Sequence, residues 1–576
     1  MPSDPASHPS PAAEHPWDAW LPKSVIALRD YDARTFTSDL IAGITVGLVA
    51  LPLAMAFAIS SGLTPQAGIY CAIVTGFLIS ALGGSRVQIG GPTGAFIPII
   101  YGIVVEYGVQ NLLVATMLAG AMLVAMGVFR LGNLIRFIPK TVVIGFTNGI
   151  AVVIFLAQIK DFLGLRIDHL PGEFFGKVKA LVTHLDTIDL PTVALSVASI
   201  VVLLSWNRLA KRFKALSRLP GPLGVLILAT GANAILQLPV ETIGTRFNGI
   251  PQDLPAFSLP QLSLETLGKL ISPALTIALL GAIESLLSAR VADAAIEDRH
   301  DPNQELIAQG LANLAAPLFG GFAATGAIAR TATNVRTGGR SPVAGMVHAL
   351  VLLAVVLVFA PFAKHIPLAT LSAIVVVVAI NMGEWHEFRG LKRFSVNYRT
   401  TLLSTFFVTV FFDLTLAVEL GMVLASLFFI YRMSELTRVE RLPLSELSMI
   451  PDFLYPDGSP RVVAYSLYGT LFFGAIHKLE TLLDPAERHP EVVILDMHHL
   501  VNLDTTGLEG LESLCKNLHK HGCALILCNL NQQPASLIHR SGFEDEVGIN
   551  NICGDIYGAL ARSRDLLPRF MDEDNL

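Results

Sequence analysis

Charge is scarce in this chain: Asp, Glu, Lys and Arg supply 15% of its 576 residues, against 52% hydrophobic. Soluble domains carry roughly 25% charged residues, so this composition, with a mean hydropathy of +0.59, excludes an ordinary water-soluble protein and points to a chain that crosses a bilayer many times. The 40 basic and 46 acidic residues leave a net charge of −6, which offers no basic field to a nucleic acid. Cysteine is scarcer still. Cys71, Cys515, Cys523, Cys528 and Cys553 show neither a CxxC pair nor zinc-ligand spacing, so they read as reduced structural thiols with no metal site. There is no nucleophile–base pair, phosphate-binding loop or cofactor motif, which excludes an enzymatic reading and leaves no cofactor to assign. Residues 1–20 lack an apolar core of signal-peptide length; rich in Pro, Ala and Ser, they read as a disordered cytoplasmic tail, with the first span as the insertion signal.

What the chain has in quantity is apolar runs. Seven recur at about 40–59, 67–82, 93–104, 112–128, 142–159, 193–206 and 223–235, and seven more at about 274–287, 307–318, 327–335, 343–362, 368–380, 402–412 and 416–429. The expected fold is an α-helical polytopic membrane protein of fourteen spans in two sets of seven. An odd number per set turns the second upside down relative to the first, an inverted repeat. With the N-terminus inside, the inner segments hold most of the Lys and Arg, among them Lys23, Arg86, Arg136, Lys214, Arg218, Arg336 and Arg340. The outer segments hold only Lys160, Arg166, Lys177, Lys179, Arg246, Lys269 and Lys364, so both termini read as cytoplasmic. Between the fifth and sixth runs an amphipathic stretch with Phe174, Phe175, Val178, Leu181 and Val182 reads as lying at the outer interface.

One stretch, 320–341, is too short and too glycine-rich to span, yet lies between long apolar runs. It reads as a half-helix at membrane depth. Around Thr325, Gly326, Ala327 and Ala329 its first N–H groups would point unpaired into a cavity, with the positive end of the helix dipole behind them. Arg330, one turn in, adds a full charge that costs at least about 2.5 kcal/mol in hydrocarbon and is tolerated mainly where it lines a polar cavity. The sequence Ala324-Thr325-Gly326-Ala327-Ile328 echoes Pro92-Thr93-Gly94-Ala95-Phe96 at the start of the third run, and each follows a Gly-Gly pair, Gly320-Gly321 or Gly83-Gly84. The third and tenth runs then read as two short helices meeting head to head near the midplane, with Thr93, Gly94, Ala95 and Phe96 facing the same small anion as the second set. The competing reading of these small residues is close helix packing. Arg336 and Arg340, further along, read as positive-inside residues.

Glu284 stands in the middle of the eighth run, flanked by Ala, Leu and Ile. A lone carboxylate there is costly when ionised and so can take up and release a proton; the alternative is a static ion pair with Arg330 that holds the spans together. Ser288 lies four residues on, on the same helix face. Asp413, at the end of the thirteenth run, reads as a helix cap or turn residue.

After 431 the composition changes. Residues 432–460 are charged and proline-containing and read as a linker; beyond them, strands at 462–473, 492–495 and 524–527 alternate with helical patterns at 475–483, 507–519 and 534–541. That alternation makes a small α/β domain. The expected organisation is therefore a tail (1–36), a membrane domain (37–431), a linker (432–460), the α/β domain (461–568) and a short C-terminal tail (569–576). Thr505 and Thr506, before a helix, can take a regulatory phosphate at its N-terminus or simply cap it.

The motifs together resemble the SulP sulfate-permease family, bacterial relatives of prestin and the animal anion exchangers. They are Asp39-Leu40-Ile41-Ala42-Gly43 at the first span, Ala282-Ile283-Glu284-Ser285-Leu286-Leu287 in the eighth, and Thr337-Gly338-Gly339-Arg340-Ser341-Pro342 after the tenth. The tail is similar to a STAS domain: Asp504-Thr505-Thr506-Gly507, after a strand ending at Leu495-Asp496, matches the Asp-Ser/Thr-Ser/Thr-Gly loop of anti-sigma-factor antagonists. The resemblance implies a core formed by spans one to four and eight to eleven, a gate formed by five to seven and twelve to fourteen, and elevator-like movement of the core. It implies a homodimer in the bacterial inner membrane, with a possible cytosolic protein partner for the STAS-like domain. It places a coupling-ion acid at Glu284; members using sodium carry Asp with a Thr four residues on, where this chain has Glu284 and Ser288, which favours a proton over sodium. Many sulfate carriers of the family have Pro-Gln in the first span. Here it is Pro52-Leu53, which removes a polar side chain expected near the substrate. The reading that results is a secondary active symporter of protons with sulfate or a C4-dicarboxylate. Its rivals are a bicarbonate transporter, an uncoupled anion exchanger or channel, and a sensor reporting through the STAS-like domain.

Overall fold

In a computed structural model that describes residues 21–29, 31–133, 139–168, 170–212, 220–250, 256–260, 264–412, 414–443, 453–455, 459–480 and 490–567, every one of the fourteen apolar runs falls on a helix. They are α1 (Ala33–Ser60), α2 (Pro65–Leu82), α3 (Ile97–Val128), α4 (Lys140–Leu163), then, after the interface helix α5 (Phe174–Thr183), α6 (Leu190–Arg212) and α7 (Gly221–Leu236). The second set is α8 (Leu264–Ile296), α9 (Pro302–Ala315), α10 (Ile328–Arg336), α11 (Val343–Ala363), α12 (Leu368–Met382), α13 (Val396–Phe411) and α14 (Leu414–Leu436). The third and fourth runs both belong to α3, on either side of a break at Gly108, whose φ of 82° no helix allows. Among the described residues seven helices are long and apolar enough to cross a membrane, and three shorter ones, Leu190–Trp206, Gly221–Leu236 and Leu368–Met382, are apolar. Asp413 and Arg136 lie outside the described residues, as do Lys214 and Arg218.

Capping follows local chemistry. Asp32 accepts the Thr35 N–H at 2.8 Å to open α1, and Asp301 accepts from Asn303 and Gln304 while Pro302 fills the first position of α9. Gly83 ends α2, and Gly320, at φ 70°, ends the 3₁₀ turn that continues α9, as the paired glycines predict.

Contacts divide the chain into a membrane unit, Met1–Met422, and a second unit, Val423–Leu576. Within the membrane unit, α3 packs most closely on α9 and α8, and α1 and α2 on α11; α4 packs on α12 and α13, and α6 on α12. Two bundles result, meeting where α1 touches α12 and α7. Small residues bring the helices together. A Cβ added to Gly310 of α9 would come within 2.6 Å of the Gly120 carbonyl of α3, and one added to Gly120 within 2.7 Å of the Gly310 carbonyl. Backbones that close pack by dispersion, the main attraction left between helices in lipid.

The interface helix turns apolar residues outward and buries a lysine. The apolar residues Phe175 and Val182 are 69% and 60% exposed, while Lys177 is 3% exposed and, with Leu181, forms the buried face of α5. In a membrane the outward face meets lipid, so the apolar stripe no longer marks the side that packs on protein.

The second unit contains a six-stranded sheet. After the two-residue strands β1 (Gly90–Gly91) and β2 (Thr325–Gly326) of the membrane unit, β3 (Arg438–Arg441) runs antiparallel to β4 (Val462–Leu471); β5 (Val492–Asp496), β6 (Leu500–Leu503), β7 (Ala524–Cys528) and β8 (Ile552–Cys553) are parallel, in the order β3-β4-β5-β7-β8 with β6 also on β4. Alternate residues serve opposite faces. Val493 and Leu495 join Leu508, Leu511, Leu514 and Ile538 on one, and Val492 and Ile494 join Ala559 and Leu560 on the other. Helices α15 (Thr505–Lys520) and α16 (Gln532–Ser541) thus cover the first face and α17 (Ile556–Leu566) the second. The segment expected as a linker is partly structured: α14 runs on to Leu436 and β3 pairs along the edge of the sheet, because Val439 turns toward the core between exposed charges.

Gly310→Val should lower the melting temperature of the detergent-solubilised protein strongly, by the equivalent of about 2 kcal/mol or more, since overpacking two touching backbones forces the helices apart. Gly231→Ala, where an added Cβ meets nothing within 4 Å, should leave it unchanged or slightly higher. Differential scanning fluorimetry on both variants checks this pair.

Candidate anion-binding site

Two extended dipeptides meet between α2, α8 and α10. Gly90–Gly91 pairs antiparallel with Thr325–Gly326, Gly90 opposite Gly326 and Gly91 opposite Thr325. From this small ladder the chain leaves in two directions, through the 3₁₀ turn Gly94–Phe96 into α3 and directly into α10. Neither helix start has a side-chain cap. Within α10 the first N–H bonded back is that of Thr331, to the Ala327 carbonyl at 2.8 Å, so the donors open at its first turn are those of Ile328, Ala329 and Arg330.

The Thr-Gly echo is out of register. Thr325 and Gly326 form the ladder, and their structural counterparts are Gly90 and Gly91; Thr93 and Gly94 lie past the ladder, at the helix start. The Gly326 N–H goes to Ser285 Oγ at 3.2 Å and that of Ala327 to the Ile89 carbonyl at 2.8 Å. This corrects the expectation that Gly326 and Ala327 offer unpaired N–H groups: antiparallel pairing consumes them, and the free donors begin one residue later. Ala329 lies on the exposed side of α10, whereas Phe96 is fully buried, facing α8 near Gly281.

Polar side chains hold the ladder. Thr325 Oγ1 donates to the Gly281 carbonyl at 2.9 Å and sits 2.7 Å from Ser285 Oγ; Thr331 Oγ1 accepts from Ser288 Oγ at 3.2 Å and from the Ile89 N–H at 3.0 Å. Asn313 brackets Ala324 with two bonds, and Gln88 donates to the Ser285 carbonyl at 3.0 Å. None of Gln88, Ser285, Asn313 and Thr331 stands out in the sequence, since polar residues on apolar helices carry no spacing signature; the signal available was that Ser285 and Ser288 flank Glu284 on one helix.

Arg330 is 2% exposed. Its guanidinium passes against Gly91, where an added Cβ would come within 2.3 Å of Nη1, and Nη2 donates to the Pro92 carbonyl. Nη1 has no partner among the described residues. A buried guanidinium with a donor to spare is a standing attraction for an anion. Glu284, on α8, turns elsewhere: its Oε2 accepts from Thr93 Oγ1 at 2.9 Å. No ion pair joins Glu284 to Arg330 among the described residues, so the alternative of a static pair is corrected; the two side chains reach neighbouring residues, Thr93 and Pro92, from different helices. Ser288, spent on Thr331, does not bond Glu284.

A cavity of about 1120 Å³ is lined by Ala95, near the start of α3, with Ile150 and Thr276, and also by Glu106, Lys177 and Lys269. In the second unit Asp504, not a threonine, caps α15, accepting the Gly507 N–H at 2.7 Å; Thr505 is exposed and Thr506 half-buried at the first turn.

Paired helix starts around a buried arginine inside a helical membrane domain, followed by a parallel-sheet domain, define the class: a membrane transporter of anions. Comparison with known proteins agrees. The family model described as "Sulfate permease family" matches residues 36–405 and that described as "STAS domain" matches residues 456–558. The chain is 44% identical over 523 residues to "Putative sulfate transporter YvdB" of Bacillus subtilis (strain 168), covering 90% of this chain and 96% of that protein. It is 30% identical over 496 residues to "Bicarbonate transporter BicA" of Picosynechococcus sp., covering 83% and 86%. The solved transmembrane domain of a cyanobacterial bicarbonate transporter BicA aligns with a TM-score of 0.62 at 30% identity, over 67% of this chain and 98% of that one. The murine Slc26a9 anion transporter shares the fold, with a TM-score of 0.83 at 18% identity over 97% and 96%. The chain belongs to the sulfate permease family.

Gly91→Ala should cut anion uptake into proteoliposomes roughly 10-fold or more with little loss of folded protein, because the new methyl group displaces the Arg330 guanidinium and φ at this position is +146°. Uptake and melting temperature measured on the same preparation separate the site from the fold.

Proposed function

We propose that this protein is a secondary active importer that moves sulfate or a C4-dicarboxylate together with protons across the bacterial inner membrane. The observation that carries the reading is the Thr93–Glu284 hydrogen bond of 2.9 Å, which puts a buried carboxylate at the lip of one helix start while leaving Arg330 unneutralised. The anion is held by the open N–H groups of Ile328, Ala329 and Arg330, by the dipoles of both short helices, and by the Arg330 charge. Thr93, Gly94, Ala95 and Phe96 form the facing wall.

An ionised Glu284 repels an anion at these helix starts, and a protonated one does not. Anion and proton therefore favour each other's binding, a coupling that is reciprocal by linkage. Protonated, Glu284 offers an O–H; ionised, it accepts from Thr93. The two bundles are the natural moving parts: α1 to α3 with α8 to α11 as the core that carries the site, and α4, α6, α7, α12 and α13 as the gate. With both termini in the cytoplasm, the cavity lined by Ala95 opens to the outside, and movement of the core past the gate would expose the site to the cytoplasm. Phosphorylation of Thr505 or Thr506 would add charge at the start of α15 and offers a means of regulation.

A second reading, bicarbonate uptake, is favoured by the similarity to BicA and by Leu53, buried in α1 where a polar side chain is expected in sulfate carriers. Uptake of labelled sulfate, bicarbonate and fumarate into proteoliposomes, with and without an inward proton gradient and sodium, decides between them. Arg330→Ala should weaken apparent affinity for the transported anion by roughly 10-fold or more, about 1.4 kcal/mol. Glu284→Gln should bind the anion yet lose stimulation by the proton gradient. Undiminished gradient-driven accumulation by Glu284→Gln would refute the coupling, and sodium dependence would replace the proton with another ion.

A further inference from the structure

Lys177 occupies a position that chemistry disfavours. A lysine ammonium is strongly hydrated and is almost never fully buried without a partner. Here the side chain is 3% exposed on the inward face of α5, and among the described residues its ammonium has neither an ion pair nor a hydrogen-bond acceptor. Its one close polar contact is the face of Tyr101, 5.6 Å from Nζ to the ring centroid, and that tyrosine is itself held by donating its hydroxyl to the Leu170 carbonyl. The lysine is nonetheless not sealed in. It lines the cavity of about 1120 Å³ that Ala95 also lines, and an adjoining cavity of about 380 Å³ beside Tyr101 and Gln158.

The charges around it do not answer it. In the large cavity Glu106, Glu173 and Glu419 face Lys269 as well as Lys177. In the smaller one Asp161 is taken by Arg246 at 2.8 Å, with Lys160 and Asp168 beside them. Tyr107 completes the large cavity's titratable wall.

We propose that the Lys177 ammonium is a second anion-binding site, a way station that the transported anion occupies in the vestibule before it reaches the helix starts at Ala95. The proposal rests on the reading of this cavity as the outer entrance. An unpaired cation in a low-dielectric wall raises the local concentration of anions and speeds their capture, and a single weak contact lets them move on. Burial lowers the Lys177 ammonium to about 8. Below that pH the group is charged and the site is present; as external pH rises through it, the charge and the site are lost. Against the effect of burial, Asp161 and Glu241 hold Arg246 above its ordinary value, so it keeps its charge across this interval.

The experiment uses the full-length protein in proteoliposomes, with labelled sulfate, bicarbonate and fumarate as probes and external pH set at about 7, 8 and 9. For whichever anion wild type accumulates, its apparent KM should rise severalfold from the lowest to the highest pH. Lys177→Gln should start with the raised KM, by roughly 3- to 10-fold, and rise less with pH than wild type, the remaining rise belonging to proton coupling at Glu284. Lys177→Arg should start at the low wild-type KM and rise with pH no more than Lys177→Gln does, since a guanidinium stays charged. Lys160→Gln, in the adjoining cavity, should retain the wild-type profile. A second readout needs neither variant nor transport: reductive methylation of Lys177, followed by mass spectrometry, should slow at least about twofold in saturating transported anion relative to equal ionic strength of a salt that is not transported. A wild-type KM flat with pH, or Lys177→Gln with unchanged KM together with unprotected labelling, overturns the way station and leaves the central site standing. If wild type takes up none of the three anions under any gradient, the proposed function itself fails.

Discussion

In lipid every backbone N–H and C=O must find a partner within the protein, and a chain that interrupts a helix at membrane depth has to satisfy the groups it frees. The ladder of Gly90–Gly91 with Thr325–Gly326 is how this protein does so. Two dipeptides, one from each half, spend their backbone groups on each other, and everything at the site is arranged around that exchange. Because the ladder is antiparallel, the two chains leave it in opposite directions, which turns both helix starts toward one region. Because it is only two residues long, the free donors begin immediately beyond it. The side chains that hold it, from Ser285, Asn313 and Thr331, come from three different helices, so the ladder also ties α8, α9 and α10 into one bundle.

Glycine is required in this ladder for space as well as conformation. Gly91 leaves the gap through which the Arg330 guanidinium reaches the Pro92 carbonyl. An arginine in this place would ordinarily be pinned by a carboxylate; here a backbone carbonyl takes one nitrogen and the other remains unsatisfied. The unmet donor costs stability that the close packing of α3 on α9 and of α1 on α11 helps to offset. Strain of this kind is retained where a ligand relieves it.

Much of the architecture was legible in the sequence because membrane helices announce themselves by composition. All fourteen runs fall on helices, and the paired glycines mark the ends of the segments before the short helices. What the sequence hides is register and facing. The repeated Thr-Gly looked like corresponding positions, yet hydrogen bonding pairs Thr325–Gly326 with Gly90–Gly91, because a ladder is chosen by which backbones meet and not by which residues match. The facing of α5 is hidden for a related reason: lipid and protein interior both accept Phe and Val, so hydrophobicity alone does not tell them apart, and nothing in the stripe marks Lys177 as buried. In the second unit, short apolar runs alternating with helical patterns were enough to find β4, β5 and β7, whose faces are both covered; β3 escaped because as an edge strand it has only Val439 to declare it.

Three of the buried carboxylates in the membrane unit are satisfied to different degrees. Asp39 accepts from the Arg340 and Ser341 N–H groups, the Ser341 hydroxyl and the Tyr31 hydroxyl. Glu305 accepts from the Gly84 and Ser85 N–H groups and from Gln309. Both fasten the loops flanking the short helices, and each is satisfied on both oxygens, so its charge is compensated by donors that do not move. Glu284 has one hydroxyl, that of Thr93, on one oxygen. An acid held by a single rotatable donor can exchange its proton without dismantling the fold, whereas protonating either of the others would break several bonds at once. The same inequality of satisfaction separates Arg246, bound to Asp161 and Glu241, from Arg330 and Lys177, which hold their charges open. Where a membrane protein leaves a buried charge unanswered, the missing partner is most economically the ion it carries.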